Sequence, residues 1–181
     1  GSKVTHILRI RNTSPQPLTT APALIVSGGR VLGQGIMTFT SAGGEVDLPI
    51  TVATDVKVQR SETETRRVPG AVVQEGEAFT RVDLKGTLTL TNYRAEAIEV
   101  EVKRYVLGQV DEATHDGKAE MLNVFEGDAE ETPLALPYWW RWYSWPSWWG
   151  RMNGRGRFTW NVSIPAKQSV RLEYSWHYFW R

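Results

Sequence analysis

The densest chemistry in the sequence is aromatic. Residues 137–149 comprise Pro137, Tyr138, Trp139, Trp140, Arg141, Trp142, Tyr143, Ser144, Trp145, Pro146, Ser147, Trp148 and Trp149, so six of the nine tryptophans fall in thirteen residues. Indole joins a large apolar surface to one N–H donor, which suits a small core, a protein interface or the C–H face of a sugar. Four readings stay open: a mini-core folded over the rest of the protein, a surface for a protein partner or neighbouring domain, a carbohydrate platform, and a membrane-interface anchor with tryptophan at headgroup level. In the sugar reading Arg141, Arg151, Arg155 and Arg157 would bond hydroxyl groups beside the flat rings. The candidate binding residues are therefore Tyr138, Trp139, Trp140, Arg141, Trp142, Tyr143, Trp145, Trp148 and Trp149.

Reaction chemistry is sparse by comparison. Three histidines are few for a metal centre, and His6 and His177 read as strand-face residues. The segment Asp111-Glu112-Ala113-Thr114-His115-Asp116-Gly117 is the one acid-rich cluster with a histidine, and such oxygen ligands can hold calcium or zinc. Asp116-Gly117 is also an ordinary turn signal and no calcium-loop spacing is complete, so no metal or cofactor is expected. A G-x-S-x-G turn, an H-E-x-x-H helix and a glycine-rich phosphate loop are all missing from the sequence, which argues against an enzyme. Asn12-Thr13-Ser14 and Asn161-Val162-Ser163 match the glycan acceptor pattern, which matters only in a glycosylating pathway.

The elements that carry these residues are strands. Val82, Leu84, Gly86, Leu88 and Leu90 alternate with Arg81, Asp83, Lys85, Thr87 and Thr89, and Ile98, Val100 and Val102 alternate with Glu99, Glu101 and Lys103. Phe158, Trp160, Val162 and Ile164 share one face of a later strand. After the turn Pro165-Ala166-Lys167-Gln168, Val170, Leu172, Tyr174, Trp176 and Tyr178 share a face of the last. Residues 4–11, 22–27, 30–37, 46–51 and 55–61 are weaker strand candidates, for about ten strands in all. Residues 71–79 offer the one helical option, opposed by Gly70 and Gly76. The alternating charges from Arg60 to Arg67 read as a solvated edge strand. Residues 6–12 and 86–92 echo each other as a strand that ends at an asparagine, followed by a loop and a partner strand.

Many short two-faced strands pack as a sandwich or close as a barrel, and strands of unequal length favour the sandwich. The fold class expected is all-β, an antiparallel immunoglobulin-like β-sandwich with a long Trp-rich loop. Residues 1–181 would form one such unit, with two similar halves at about 3–70 and 78–181 as a further option.

Four segments carry a resemblance to a known family: the opening strand with Asn12-Thr13-Ser14 and Pro17-Leu18; Leu88-Thr89-Leu90-Thr91-Asn92 followed by Ile98-Glu99-Val100; Phe158-Thr159-Trp160-Asn161-Val162 with its proline turn; and Leu172-Glu173-Tyr174-Ser175-Trp176. Together they resemble the C-terminal domain of unknown function of bacterial mucoidy-inhibitor-A-like proteins. The resemblance implies an immunoglobulin-like sandwich appended to a longer protein, with no catalytic residues to carry over. The dense aromatic loop departs from that family's pattern.

Lysine and arginine total 21 against 20 acidic residues, so the net charge of +1 gives no field for nucleic acid. No cysteine is present, which removes disulfides and thiolate chemistry and leaves the redox compartment open. No apolar run approaches the roughly 18 residues of a membrane span. Gly1-Ser2 reads as a protease-cleavage scar and the chain as a fragment of a longer protein; its location is open, with the cell envelope or secretion favoured. The function expected is a non-catalytic binding or assembly module whose aromatic loop contacts protein, including other domains of the parent, or glycan. The alternative is a cell-envelope polysaccharide hydrolase or its carbohydrate-binding accessory domain.

Overall fold

The computed structural model describes residues 3–122 and 147–181. The chain divides into two compact units, Gly1–Val58 and Gln59–Arg181.

In the first unit, β1(Thr5–Arg11) pairs antiparallel with β4(Glu45–Val52), and β2(Ala21–Ser27) pairs antiparallel with β3(Arg30–Met37). Alternation buries Val46 and Leu48 of β4 and Ile25 of β2. A Cβ added at Gly33 or Gly35 of β3 would meet Ile50 at 3.0 Å or Leu48 at 2.9 Å, so these two glycines let β3 lie close on β4. Gly28 and Gly29, both with positive φ, make the two-residue turn between β2 and β3.

The second unit holds most of β5(Val56–Gln74), then β6(Glu77–Asn92), β7(Ile98–Val106), β8(Gln109–Ala113), β9(Lys118–Leu122), α1(Ser147–Met152), β10(Arg155–Ile164) and β11(Ser169–Trp180). They form one sheet in the order β5-β6-β11-β8 and another in the order β7-β10-β9. Phe158 and Trp160 of β10 meet the Tyr174 ring of β11 at 5.1 and 6.0 Å, joining the two sheets through aromatic contact. Val82, Leu88, Leu90, Ile164 and Leu172 complete a core almost wholly removed from solvent. The Trp160 indole N–H donates to the Thr114 carbonyl at 2.8 Å, and its ring occupies the space that a side chain at Gly117 would fill.

The protein is thus all-β with antiparallel sheets, and no sheet closes into a barrel among the described residues. The strong alternations at 81–91, 98–103, 158–164 and 170–178 all lie in strands. Two expectations change. The described strands number eleven rather than about ten, because β8 and β9 are too short to show periodicity. The strand expected at 55–61 runs on to Gln74, since charged edge positions carry no apolar signal. As Gly70 and Gly76 argue, residues 71–79 form no helix: Glu75 and Gly76, both at positive φ, turn β5 into β6.

The echo between residues 6–12 and 86–92 has a structural counterpart. The Asn12 side-chain amide donates to the carbonyls of Gln16, Thr40 and Ser41, and its backbone N–H donates to Gly44. The Asn92 side-chain amide donates to the carbonyls of Glu96, Ile164 and Pro165, and its backbone N–H donates to Gln168. Gln16 follows Asn12 by four residues as Glu96 follows Asn92, and the distant acceptors keep one mutual spacing, Thr40, Ser41 and Gly44 in the first set and Ile164, Pro165 and Gln168 in the second. Gly43 and Lys167, each just before the residue that accepts the asparagine N–H, both have positive φ. Leu18 bridges Thr40 as Ile98 pairs with Ile164, and Arg11 pairs with Glu45 as Thr91 pairs with Ser169. The set β1, β2, β3, β4 therefore has the pairing of β6, β7, β10, β11. What differs is the link between the second and third strand of each set, which is Gly28-Gly29 in the first and residues 107–154 in the second.

Candidate functional site

The inserted residues 107–154 carry β8, β9 and α1, and the aromatic chemistry lies with them. A helix of six residues cannot hold itself together in water, so α1 depends on what fixes it to β11. Asn153, almost fully buried, donates from its side-chain amide to the Phe179 carbonyl at 3.0 Å and accepts the Phe179 N–H, extending the edge of β11 as a strand would. Gln109 donates to the Met152 carbonyl at 2.7 Å, and Arg151 pairs with Glu75 at 3.3 Å. Met152 packs with Phe79 and Phe179, with Val72 and Trp148 against them. The Trp148 ring lies 5.1 Å from Phe79 and 6.5 Å from Trp180; Trp149 lies 5.9 Å from Tyr178 and 5.8 Å from Trp180.

Of the nine candidate binding residues, Trp148 and Trp149 therefore sit in an aromatic layer at the end of β11, with Trp149 buried. Tyr138, Trp139, Trp140, Arg141, Trp142, Tyr143 and Trp145 lie outside the described residues. The layer also contains Trp180, 54% exposed, and Phe79, neither of which the sequence singles out. Trp180 extends the β11 alternation by one step, a signal that could have placed it beside Tyr178.

On the same face of the four-stranded sheet, three adjacent strands bring together Asp83 of β6, His177 of β11 and Asp111 of β8, with their ligand atoms within 4.8 Å of one another. His177 is buried, stacks edge-on to Phe179, and holds both Asp111 oxygens at 2.9 and 3.0 Å from Nδ1. Asp83 is engaged by Arg81 at 2.7 Å. A nitrogen and two carboxylates can ligate a divalent cation, and they equally make a hydrogen-bonded polar row across three strands. The acid-rich segment 111–117 does not converge: His115 and Asp116, both at positive φ, turn β8 into β9, and the His115 ring meets Thr114. Sequence order hides the grouping that does form, since Asp83 and His177 meet only through strand register.

A second polar group joins the sheets. Tyr174 donates its hydroxyl to Glu62 of β5 at 2.8 Å, and Arg104 of β7 reaches the Tyr174 oxygen at 3.1 Å and the Glu62 carboxylate at 2.9 and 3.1 Å. Tyr174 gets to β5 by lying across Gly86 of β6, its paired residue, where an added Cβ would fall 2.1 Å from the ring. Burial pushes the Tyr174 hydroxyl up to about 12. Burial also raises the Glu62 carboxyl, but the hydrogen bonds and charge of Arg104, with the Tyr174 hydroxyl, outweigh it and hold Glu62 below the ordinary carboxylate range. This group is fully committed to its own members and reads as a structural clamp.

Comparison with protein-family models, with curated proteins and with solved structures finds no match for this chain.

Proposed function

We propose that the chain is a non-catalytic binding or assembly module, built from two immunoglobulin-like sandwich units of common origin, whose second unit presents a tryptophan-rich segment to a protein or glycan. The carrying observation is the contrast between the two strand sets: one closes its link with two glycines, while the other devotes residues 107–154 to it and pins the end of that insertion to β11 through Asn153. A link that large, anchored by a buried amide and an aromatic layer, costs ordering entropy that a bare turn avoids, and recognition is what offsets such a cost. Kinship with the C-terminal domain of mucoidy-inhibitor-A-like proteins belongs to the same proposal and rests on the four strand-pair segments.

Trp142→Ala and Trp145→Ala test this reading. Intrinsic tryptophan fluorescence titrated with cell-envelope polysaccharide fragments should show binding in the unaltered chain. Both substitutions should weaken that binding at least tenfold, about 1.4 kcal/mol, with the melting temperature nearly unchanged. Binding that survives both, or a melting point that drops by many degrees, would favour the mini-core reading.

The hydrolase alternative draws on one observation, the approach of Asp83 and Asp111. Paired carboxylates in glycosidases flank a scissile bond at about 5 Å or more. Here His177 bonds Asp111 and Arg81 bonds Asp83, so both are already partnered. Release of reducing sugar by the chain, lost in Asp83→Asn, would establish that alternative.

A further inference from the structure

We propose that β3 pairs edge to edge, antiparallel, with β3 of a second copy of this chain. The correspondence between the two strand sets supplies the reason. β10 has β7 on one edge and β9 on the other, with β9 paired antiparallel along Arg155 to Thr159. β3 stands where β10 stands, with β2 in the place of β7, but among the described residues no strand covers its other edge. The link between β2 and β3 is two glycines, so it has no residues to supply a strand like β9.

Free edges elsewhere are guarded. β5 alternates charge from Arg60 to Arg67, β7 carries Glu99, Glu101 and Lys103, and β8 carries Asp111 and Glu112. β2 has no charge but carries Pro22, which lacks a ladder donor. From Val31 to Met37, β3 has neither charge nor proline, and Val31, Leu32 and Ile36 are 64%, 49% and 69% exposed. An uncharged, solvent-facing edge is the form that pairs with another chain.

A second copy fits this edge by symmetry. Antiparallel pairing of a strand with itself is a two-fold, self-complementary contact, and an uncharged strand sets no like charges against each other in it. It would join two two-stranded ribbons, each marginal by itself, into one four-stranded sheet in the order β2-β3-β3-β2, the strand number that the second unit reaches within one chain. This contact belongs to the first unit and is independent of the aromatic segment.

Sedimentation equilibrium of the whole chain over about 1 to 200 µM tests it: the mean mass should climb from 20.5 kDa toward twice that value, without larger species. Leu32→Lys with Gln34→Lys, both exposed positions, should weaken association at least tenfold while leaving the far-ultraviolet dichroism unchanged. Hydrogen exchange of the unaltered chain gives a readout that does not depend on the variant folding: β3 amides should slow as concentration rises. A mass fixed at 20.5 kDa, a dimer indifferent to the double substitution, open-ended growth, or β3 exchange independent of concentration would each overturn the proposal.

Discussion

Tyr174 shows how much of this protein turns on single side chains. Its ring crosses β6 only because Gly86 leaves the space, and its hydroxyl meets Glu62 and Arg104 on two other strands. Gly86→Ala would drive a methyl into that ring, so a loss of about 3 kcal/mol in urea unfolding is expected, against about 1 kcal/mol for Gly43→Ala, where the space is open and the cost is that of a side chain at positive φ. The hydroxyl also sets a pH response. Its folded value lies above its unfolded value of about 10, so the stability it contributes is complete below about pH 10 and is lost as pH rises through about 12. Tyr174→Phe should flatten that part of the alkaline limb. Glu62 has the opposite sign: its depressed folded value gives stability above the ordinary carboxylate range that is lost as pH falls through the folded value. The sequence displays Tyr174 and Gly86 as inward members of alternating strands. It hides Glu62, which reads as one more charge in a solvated run, because only the order β5-β6-β11 brings it under Tyr174.

At the scale of elements, two buried asparagines and one short helix determine how strands are joined. Asn92 donates its amide to three carbonyls at the entry to β11 while its Oδ1 accepts the Arg94 N–H, so Asn92→Asp would keep that one donor and set its other oxygen against three acceptors; a cost of about 3 kcal/mol is expected. Asn12→Asp makes the same change in the first unit and should raise amide exchange in β1 to β4 while leaving β6 and β11 protected. Asn153→Ala removes the paired bonds to Phe179 and should release α1, read as a loss of near-ultraviolet dichroism from the Trp148 and Trp149 layer with the far-ultraviolet signal kept. Strand positions were legible wherever a buried face alternates with a wet one, as at Phe158 to Ile164. The short pieces were not: β8 and β9 span five residues each, and α1 is less than two turns long, too little chain for a period to register. The asparagine corners lay between these cases. Their spacing was visible as an echo, whereas the reason for it is a set of carbonyls distant in sequence.

Across the whole molecule the two units differ in what they bury. β1 has no fully buried residue, and Ile7 and Leu8 are 48% and 40% exposed; the core of the first unit is Ile25, Val46, Leu48, Ala53 and Val56. The second unit hides Trp160, Tyr174, Phe158, Leu90, Ile164, Leu172 and Val82 almost completely. At about 1.5 to 3 kcal/mol for each large apolar side chain removed from water, that difference gives the second unit the higher opening free energy by several kcal/mol. The chain carries its own reporter for this, since all nine tryptophans lie between Trp139 and Trp180, within the second unit. In dilute solution, urea should therefore reduce the far-ultraviolet strand signal, to which both units contribute, before it shifts tryptophan emission, and amides of β1 to β4 should exchange ahead of those of β6, β10 and β11. Coincident dichroism and fluorescence curves would show instead that the units unfold as one cooperative block, with the small core of the first held by the second.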